Sequence, residues 1–159
     1  MEKFPVIKIR KEKVMKDDVV IKKDVINFIE KIAKEFGGVY IIDVDGYKKN
    51  EANFRLYKKI AVPIWLDAYP RYVEDVMDLV IISGVNKITV RNMEEEMLKE
   101  IKDMIEKEIY LAYNNALQSS YFATKYGFKG VVLDEWQEIG GNIETWKLHL
   151  KEYVIRRVR

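Results

Sequence analysis

The sequence predicts an α/β protein in which about six βα units lie on one parallel sheet. Short runs of β-branched and aromatic residues alternate with stretches whose apolar residues recur at helical spacing. This alternation is typical of parallel βα architectures. At 159 residues, without a Pro- or Gly-rich linker, the chain is long enough to bury a core of its own. We therefore expect residues 1–159 to form a single domain.

Six strands can be placed by their composition. They cover 5–10, 39–45, 62–67, 86–91, 108–113 and 130–134, and 14–21 adds a short strand or ribbon beside the first. The second strand is apolar until its last residues, as expected of a strand that is buried on both faces.

Helices are predicted between these strands from apolar periodicity and from end signals. The first begins at about Asp24, a good N-cap residue, and ends at Gly37. Further helices are expected over 51–60, 71–83, 92–107 and the segment from 115 to just before 127. A last helix is expected to begin at about residue 142. Its buried face would be Ile143, Trp146, Leu150, Tyr153 and Val154.

Charge and composition argue against several classes of function. The 28 Lys and Arg residues nearly balance the 26 Asp and Glu residues, so nucleic-acid binding is not expected, because phosphate backbones attract a surplus of cations. The chain has no Cys, which removes disulfides and thiolate metal sites and suits a cytoplasmic location. No apolar run reaches the roughly 18 residues that a membrane span requires. Abundant Lys and Glu with few Gln is typical of thermophilic proteins.

Polar residues follow most of the predicted strands at their carboxyl ends, where parallel βα folds place ligands. Asp43, Asp45 and Asp67 rank first as candidate catalytic residues, followed by Asp134 and Lys8. The residues expected to bind a ligand are Arg91, Asn92, Asn114 and Glu135. No other cofactor is expected, but Asp43, Asp45 and Asp67 could hold a divalent cation through their carboxylate oxygens.

Each of these residues also has a purely structural interpretation. Asp and Asn are common after strands because they cap helices and satisfy turn backbone. Lys8 is either a desolvated amine nucleophile or a solvated strand lysine that alternates with Arg10. The single His149 has no second His or Cys with which to build a transition-metal site. Dinucleotide, P-loop, zinc-protease and serine-hydrolase motifs are absent.

Several segments resemble the HisA/HisF-type (βα)8-barrel family of histidine biosynthesis. Residues 5–14 (PVIKIRKEKV) are similar to the first strand and ribbon of these enzymes, and 40–46 (YIIDVDG) are similar to their second strand. Residues 63–68 (PIWLDA) look like the third strand of archaeal HisA-related proteins. The resemblance implies a fold derived from the TIM barrel. With about six units it would be a truncated barrel, whose open edges favour a homo-oligomer.

The resemblance also implies that the ribotide isomerisation of that family is lost. Its two catalytic acids, on the first and fifth strands, are matched here by Lys8 and Ala112, and the later strands that carry its phosphate loops are not found. Two functions remain open. One is the binding or conversion of a small phosphorylated or anionic metabolite at the strand ends, by an isomerase- or lyase-like enzyme if there is catalysis. The other is a non-catalytic paralogue that serves as a structural or partner subunit.

Overall fold

Ten strands and six helices make up the part of the chain that the structure, a computed structural model, describes: residues 2–22 and 24–159. The strands are β1 (Lys3–Arg10), β2 (Lys13–Lys16), β3 (Val19–Lys22), β4 (Val39–Asp43), β5 (Ile64–Asp67), β6 (Lys87–Arg91), β7 (Glu108–Ala112), β8 (Gly130–Asp134), β9 (Glu144–His149) and β10 (Val154–Arg157). The helices are α1 (Val25–Phe36), α2 (Val44–Lys49), α3 (Phe54–Lys58), α4 (Val73–Ile81), α5 (Glu95–Met104) and α6 (Ala116–Tyr126). No helix in these ranges has both the length and the apolar character needed to cross a membrane.

Eight of the strands close into a barrel. Strand β1 and strands β4 to β9 run parallel to one another, and β10 lies antiparallel between β9 and β1. At this seam Phe4 pairs in register with Ile155. The β2–β3 hairpin pairs with the carboxyl-terminal end of β1 and is not part of the closed ring.

Strand alternation divides the apolar side chains into two layers. In β4, Val39 and Ile41 pack in the layer between the strands and the helices, whereas Tyr40 and Ile42 belong to the cluster inside the barrel. A strand that is buried on both faces needs a nearly continuous apolar sequence. This explains the composition of β4, β5 and β8.

Aromatic rings fill the barrel interior. The Trp65 ring lies 4.4 Å from the Tyr110 ring and 5.2 Å from the Trp146 ring, measured between centroids. Trp65 Nε1 donates a hydrogen bond of 2.9 Å to Thr89 Oγ1. At the amino-terminal end of β6, Lys87 Nζ lies 4.8 Å from the centroid of Trp65, within the range of a cation–π contact. The interior is therefore a packed core and not a channel.

The predicted fold class, an open set of about six parallel βα units derived from a HisA/HisF-type TIM barrel, is wrong. Eight strands close the ring, and β10 runs antiparallel to both of its neighbours. A TIM barrel has eight parallel strands, each followed by a helix, whereas no helix separates β8, β9 and β10 in the described chain. The barrel edges that favoured an oligomer are also absent, because β10 covers the free sides of β1 and β9.

The helix predicted from about residue 142 is instead the β9–β10 hairpin. Its apolar residues fit a helical period, but residues 145–148 also alternate between polar and apolar. Trp146 and Leu148 belong to the cluster inside the barrel, and strand geometry places Thr145 and Lys147 on the other face. The strand period is selected over the helical period because Trp146 and Leu148 fill space inside the barrel. A local sequence pattern contains no information about that space. The strand predicted to reach Asp45 likewise ends at Asp43, which caps the amino-terminal end of α2.

Candidate functional site

The carboxyl ends of the barrel strands carry the predicted site residues in two different settings. By strand alternation, Lys8, Asp67, Arg91 and Asp134 lie on the faces that line the barrel interior. Asp43 lies on the opposite face of β4, toward the helices. The candidate acids therefore do not converge on one point.

Asp67 and Arg91 form a buried ion pair inside the barrel mouth. Arg91 Nη2 donates to Asp67 Oδ2 at 2.8 Å, and Arg91 Nε lies 3.1 Å from the same oxygen. The hydroxyl of Tyr40 also donates to Oδ2, at 2.6 Å, and that of Tyr47 donates to Oδ1 at 2.7 Å. Because Asp67 is completely buried, its carboxylate presents no open side to a ligand.

The three side chains that donate to Asp67 all have raised pKa values. Burial, followed by the neighbouring Asp67 carboxylate, raises the pKa of both Tyr40 and Tyr47 well above the ordinary value. Burial by itself lowers the pKa of the Arg91 guanidinium, but the facing Asp67 carboxylate outweighs it and the pKa is raised. All three side chains therefore act as permanent hydrogen-bond donors at physiological pH. This arrangement fits a structural network better than an acid–base pair.

Asp43 and Asp45 come together around the side chain of Asn53. Asn53 Nδ2 donates to Asp43 Oδ2 and to Asp45 Oδ2, in both cases at 3.0 Å. The backbone N–H of Gly46 donates to Asp43 Oδ1 at 2.8 Å, and that of Lys11 donates to Asp45 Oδ2 at 2.7 Å. The two carboxylates therefore tie the turn after β1 to α2 and to the start of α3.

Tyr57 completes this cluster by donating its hydroxyl to Asp43 Oδ2. Burial, followed by the Asp43 carboxylate, raises the pKa of Tyr57 well above the ordinary value. Sequence reasoning did not include Asn53 or Tyr57 among the site residues. The available signal was their four-residue spacing on the predicted helix 51–60, which places them on one helix face.

The catalytic roles and the cation predicted for Asp43, Asp45 and Asp67 remain predictions, and the geometry does not favour them. N–H and O–H donors already occupy the carboxylate oxygens of Asp43 and Asp67. Asp67 also belongs to a separate network from the other two. Within the described ranges, these three residues do not form a group whose ligating atoms could share one metal ion.

A pocket of about 570 Å³ lies at the carboxyl ends of β6 and β7. Its polar lining includes Tyr69, Asn92, Glu94, Asn114, Asn115 and Gln118, and buried Tyr113 and Phe122 also line it. Asn92 Nδ2 donates to the Tyr69 hydroxyl at 3.1 Å, and Asn92 Oδ1 accepts from the N–H of Asn114 at 2.9 Å. Two of the predicted ligand-binding residues, Asn92 and Asn114, therefore meet in one concave site.

The charge of this pocket comes from carboxylates. Glu94 and Glu95 line it, and among the residues that the structure describes no Lys or Arg does. Hydrogen bonds from Lys125 and then Tyr126 lower the pKa of Glu95, so this carboxylate stays ionised. Arg91 is next to Asn92 in sequence, but its guanidinium bonds to Asp67 inside the barrel.

The remaining predicted residues lie outside this pocket. Lys8 and Asp134 are partly buried on the interior faces of β1 and β8. Glu135 is exposed, and its Oε1 lies 3.1 Å from His149 Nδ1. Tyr69 and Gln118 also line the pocket but are not among the predicted ligand-binding residues. For Tyr69 the signal was an aromatic residue two positions after a strand-end acid, whereas Gln118 carries no sequence signal that separates it from any other helix surface residue.

No family model matches the chain, and no curated protein is significantly similar to it in sequence. The functional assignment therefore rests on the geometry of the barrel mouth.

Proposed function

We propose that this protein binds a small polar molecule without net negative charge in the pocket at the carboxyl ends of β6 and β7. The observation that carries the proposal is the convergence of amide and hydroxyl groups from three segments on one cavity. Asn92 and Tyr69 are already joined by a hydrogen bond, and Asn114 contacts Asn92 through its backbone. The side chain of Gln118 makes no hydrogen bond within the described residues and is free to contact a ligand.

The charge of the lining supports a ligand that is not an anion. A phosphorylated or carboxylate metabolite needs cations or free helix N–H groups. No side chain caps the amino-terminal end of α5, but the exposed carboxylate of Glu94 opposes an anion there, whereas that of Glu95 is already paired with Lys125. At α6 the Asn115 side chain caps the helix by accepting from the N–H of Leu117 at 3.0 Å. We therefore propose a neutral, hydroxyl- or amide-bearing ligand in place of the anionic metabolite that the sequence predicts.

The proposed function is binding without catalysis, and the positions of the three candidate catalytic acids support this. Asp43, Asp45 and Asp67 make hydrogen bonds that hold the turns and the barrel mouth in place, and none of them lines the pocket. A general acid or base must reach the proton that it transfers. A cytoplasmic location is the proposed compartment, supported by the Cys-free composition.

Thermal unfolding in the presence of ligand panels tests the proposal. Neutral sugars, polyols and nucleosides are compared with sugar phosphates. A neutral ligand at about 100 times its Kd is expected to raise the Tm by about 5 to 10 °C. Gln118→Ala should remove most of this shift, because it deletes one donor and one acceptor from the pocket.

Thr124→Ala provides the matched control, because Thr124 is exposed on the same helix and does not line the pocket. This variant should respond to ligand like the original chain. Stabilisation by sugar phosphates alone, or a shift that Gln118→Ala leaves unchanged, would contradict the proposal.

A second candidate function, self-assembly, is favoured by the edge of the β2–β3 hairpin. Strand β3 is the last strand of the sheet, and its Val19, Val20 and Ile21 are 63%, 39% and 47% exposed. Exposed apolar edge strands readily pair with another chain. If a second copy pairs here, sedimentation velocity shows a dimer that Val20→Lys converts to monomer. A monomer at all concentrations removes this candidate.

A further inference from the structure

The single histidine of the chain lies beside two carboxylates at the carboxyl ends of β8 and β9, and none of the three residues lines the pocket. Glu135 follows β8, His149 ends β9, and Glu152 lies in the turn between β9 and β10. One potential ligand atom from each of the three residues lies within 4.8 Å of those from the other two. Sequence reasoning set His149 aside because it has no second His or Cys, but in the structure its neighbours are Glu residues.

We propose that Glu135, His149 and Glu152 form a binding site for one divalent transition-metal ion of the Zn²⁺ class. Imidazole nitrogen and carboxylate oxygen are ligands that Zn²⁺ accepts at about 2.0 to 2.2 Å. Three protein ligands leave a fourth position for water, as in open zinc sites. The site is separate from the proposed pocket, and it does not depend on that pocket having a ligand.

The framework of the site is well defined. His149 pairs in register with Val154 across the β9–β10 ladder, and the intervening turn is closed by the Tyr153 N–H, which donates to Leu150 O at 3.3 Å. His149 is 16% exposed as a side chain, whereas the Glu135 side chain is 52% exposed. A partly buried ring on a strand end and two exposed carboxylates can close on an ion through small rotamer changes, since the ligand atoms are already neighbours.

Two existing contacts compete with the ion. His149 Nδ1 lies 3.1 Å from Glu135 Oε1, so the ion replaces a hydrogen bond between two of its own ligands. Arg156 Nη1 donates to Glu152 Oε2 at 2.9 Å, so this arginine competes with the ion for one carboxylate. Removing Arg156 is therefore expected to strengthen metal binding, an outcome that a purely structural His149–Glu135 pair does not produce.

Titration of the chelator-treated full chain with Zn²⁺, by calorimetry, and with Co²⁺, by visible absorption, tests the proposal. One ion per chain is expected. His149→Gln and Glu135→Gln should each weaken Zn²⁺ binding by at least about tenfold, because even outer-shell changes cost that much. Arg156→Gln should tighten binding. The Co²⁺ spectrum of the original chain should show a ligand-field band that His149→Gln abolishes.

Glu138→Gln is the matched control. Glu138 is an exposed acid in the loop that also contains Glu135; it pairs with Lys147 and is not one of the three proposed ligands. It should bind Zn²⁺ like the original chain. Circular dichroism melting establishes that each variant is folded. Absence of Zn²⁺ uptake, or uptake with equal affinity in the original chain and in folded His149→Gln, would overturn the proposal.

Discussion

At the scale of single residues, the polar groups at the barrel mouth act mainly through the hydrogen bonds that they make with one another. The buried Asp67 carboxylate accepts from Arg91, Tyr40 and Tyr47. A buried charge that keeps all its donors is tolerated, whereas one that loses a partner is strongly destabilising. Substitutions of the acids that the sequence predicts to be catalytic are thus expected to act first on stability.

Tyr47→Phe should lower the free energy of unfolding by about 1.5 to 3 kcal/mol at neutral pH, because Asp67 loses a hydrogen bond to its charged carboxylate. The pKa of Tyr47 is raised in the folded state, so this tyrosine contributes stability that is fully present below about pH 10 and is lost as the pH rises further. The stability difference between the two proteins should therefore shrink above pH 10. Urea unfolding at pH 8 and pH 10.5 measures it.

Tyr121→Phe controls for the other tyrosines, since Tyr121 is 59% exposed. It should unfold like the original chain at both pH values. A Tyr47→Phe difference that is absent at pH 8, or that grows above pH 10, contradicts the role given to the Asp67 network.

Asn53→Ala should lower the free energy of unfolding by about 2 to 4 kcal/mol, because Asp43 and Asp45 both lose hydrogen bonds from the Asn53 amide. Hydrogen exchange should also show faster exchange of the Lys11 and Gly46 amides, which donate to the same carboxylates. Asn27→Ala removes a single exposed amide contact, to Asp24, and should cost less than about 0.5 kcal/mol. Equal stability of the two variants contradicts the clustering of Asp43 and Asp45 around Asn53.

At the scale of elements, the pairing of β8 with β9 decides the architecture of the carboxyl-terminal quarter of the chain. Gly130 and Glu144 are register partners in this parallel pair. A Cβ at position 130 would collide with the backbone carbonyl of Glu144. The close approach of the two strands therefore requires glycine here.

Gly130→Ala should lower the free energy of unfolding by about 1 to 3 kcal/mol, the cost of forcing extra volume into a packed contact. Gly140→Ala is the matched control, because a Cβ at 140 meets no atom within 4 Å. Urea unfolding compares the two. If Gly130→Ala is as stable as Gly140→Ala, β9 does not lie beside β8.

Local sequence patterns predicted several of the strands correctly but not the last helix. The cores of the predicted strands at 39–45, 86–91 and 130–134 are strands in the structure, since the middle residues of each are buried on both faces. The predicted last helix is wrong because its apolar spacing fits two periods. Only the space inside the ring, filled by Trp146 and Leu148, selects the strand.

At the scale of the whole molecule, closure of the barrel rests on a contact between the two ends of the chain. Phe4 pairs with Ile155, and Arg157 Nη1 donates to Glu2 Oε1 at 3.0 Å. Residues that pair across some 150 positions of sequence produce no local sequence pattern. The sequence therefore predicted a barrel with open edges instead of a closed one. The pairing of β8 with β9 and the β9–β10 hairpin bring Glu135, His149 and Glu152 to one place, although no metal-binding motif joins them in the sequence.

Closure also determines which surfaces are available for a ligand. The barrel interior is filled by aromatic side chains, and Asp67 and Arg91 occupy its mouth. The interior therefore leaves no space for a ligand, and the proposed pocket lies beside the mouth, between loops that follow the strands. The sequence placed Asn92 and Asn114 at this edge but could not show that Arg91 turns inward, because the direction of a side chain depends on the partner it finds.

Nuclear magnetic resonance titration with the neutral ligand that gives the largest thermal shift tests the proposed pocket most directly. The side-chain amide signals of Asn92, Asn114 and Gln118 should move together and saturate with one Kd, while those of Asn27 and Asn86, outside the pocket, stay in place. Movement of the Asn86 signal alone would instead assign binding to the cleft of about 730 Å³ at the amino-terminal end of the barrel, which Asn86 lines. That result would contradict the pocket at the carboxyl ends of β6 and β7 as the ligand site.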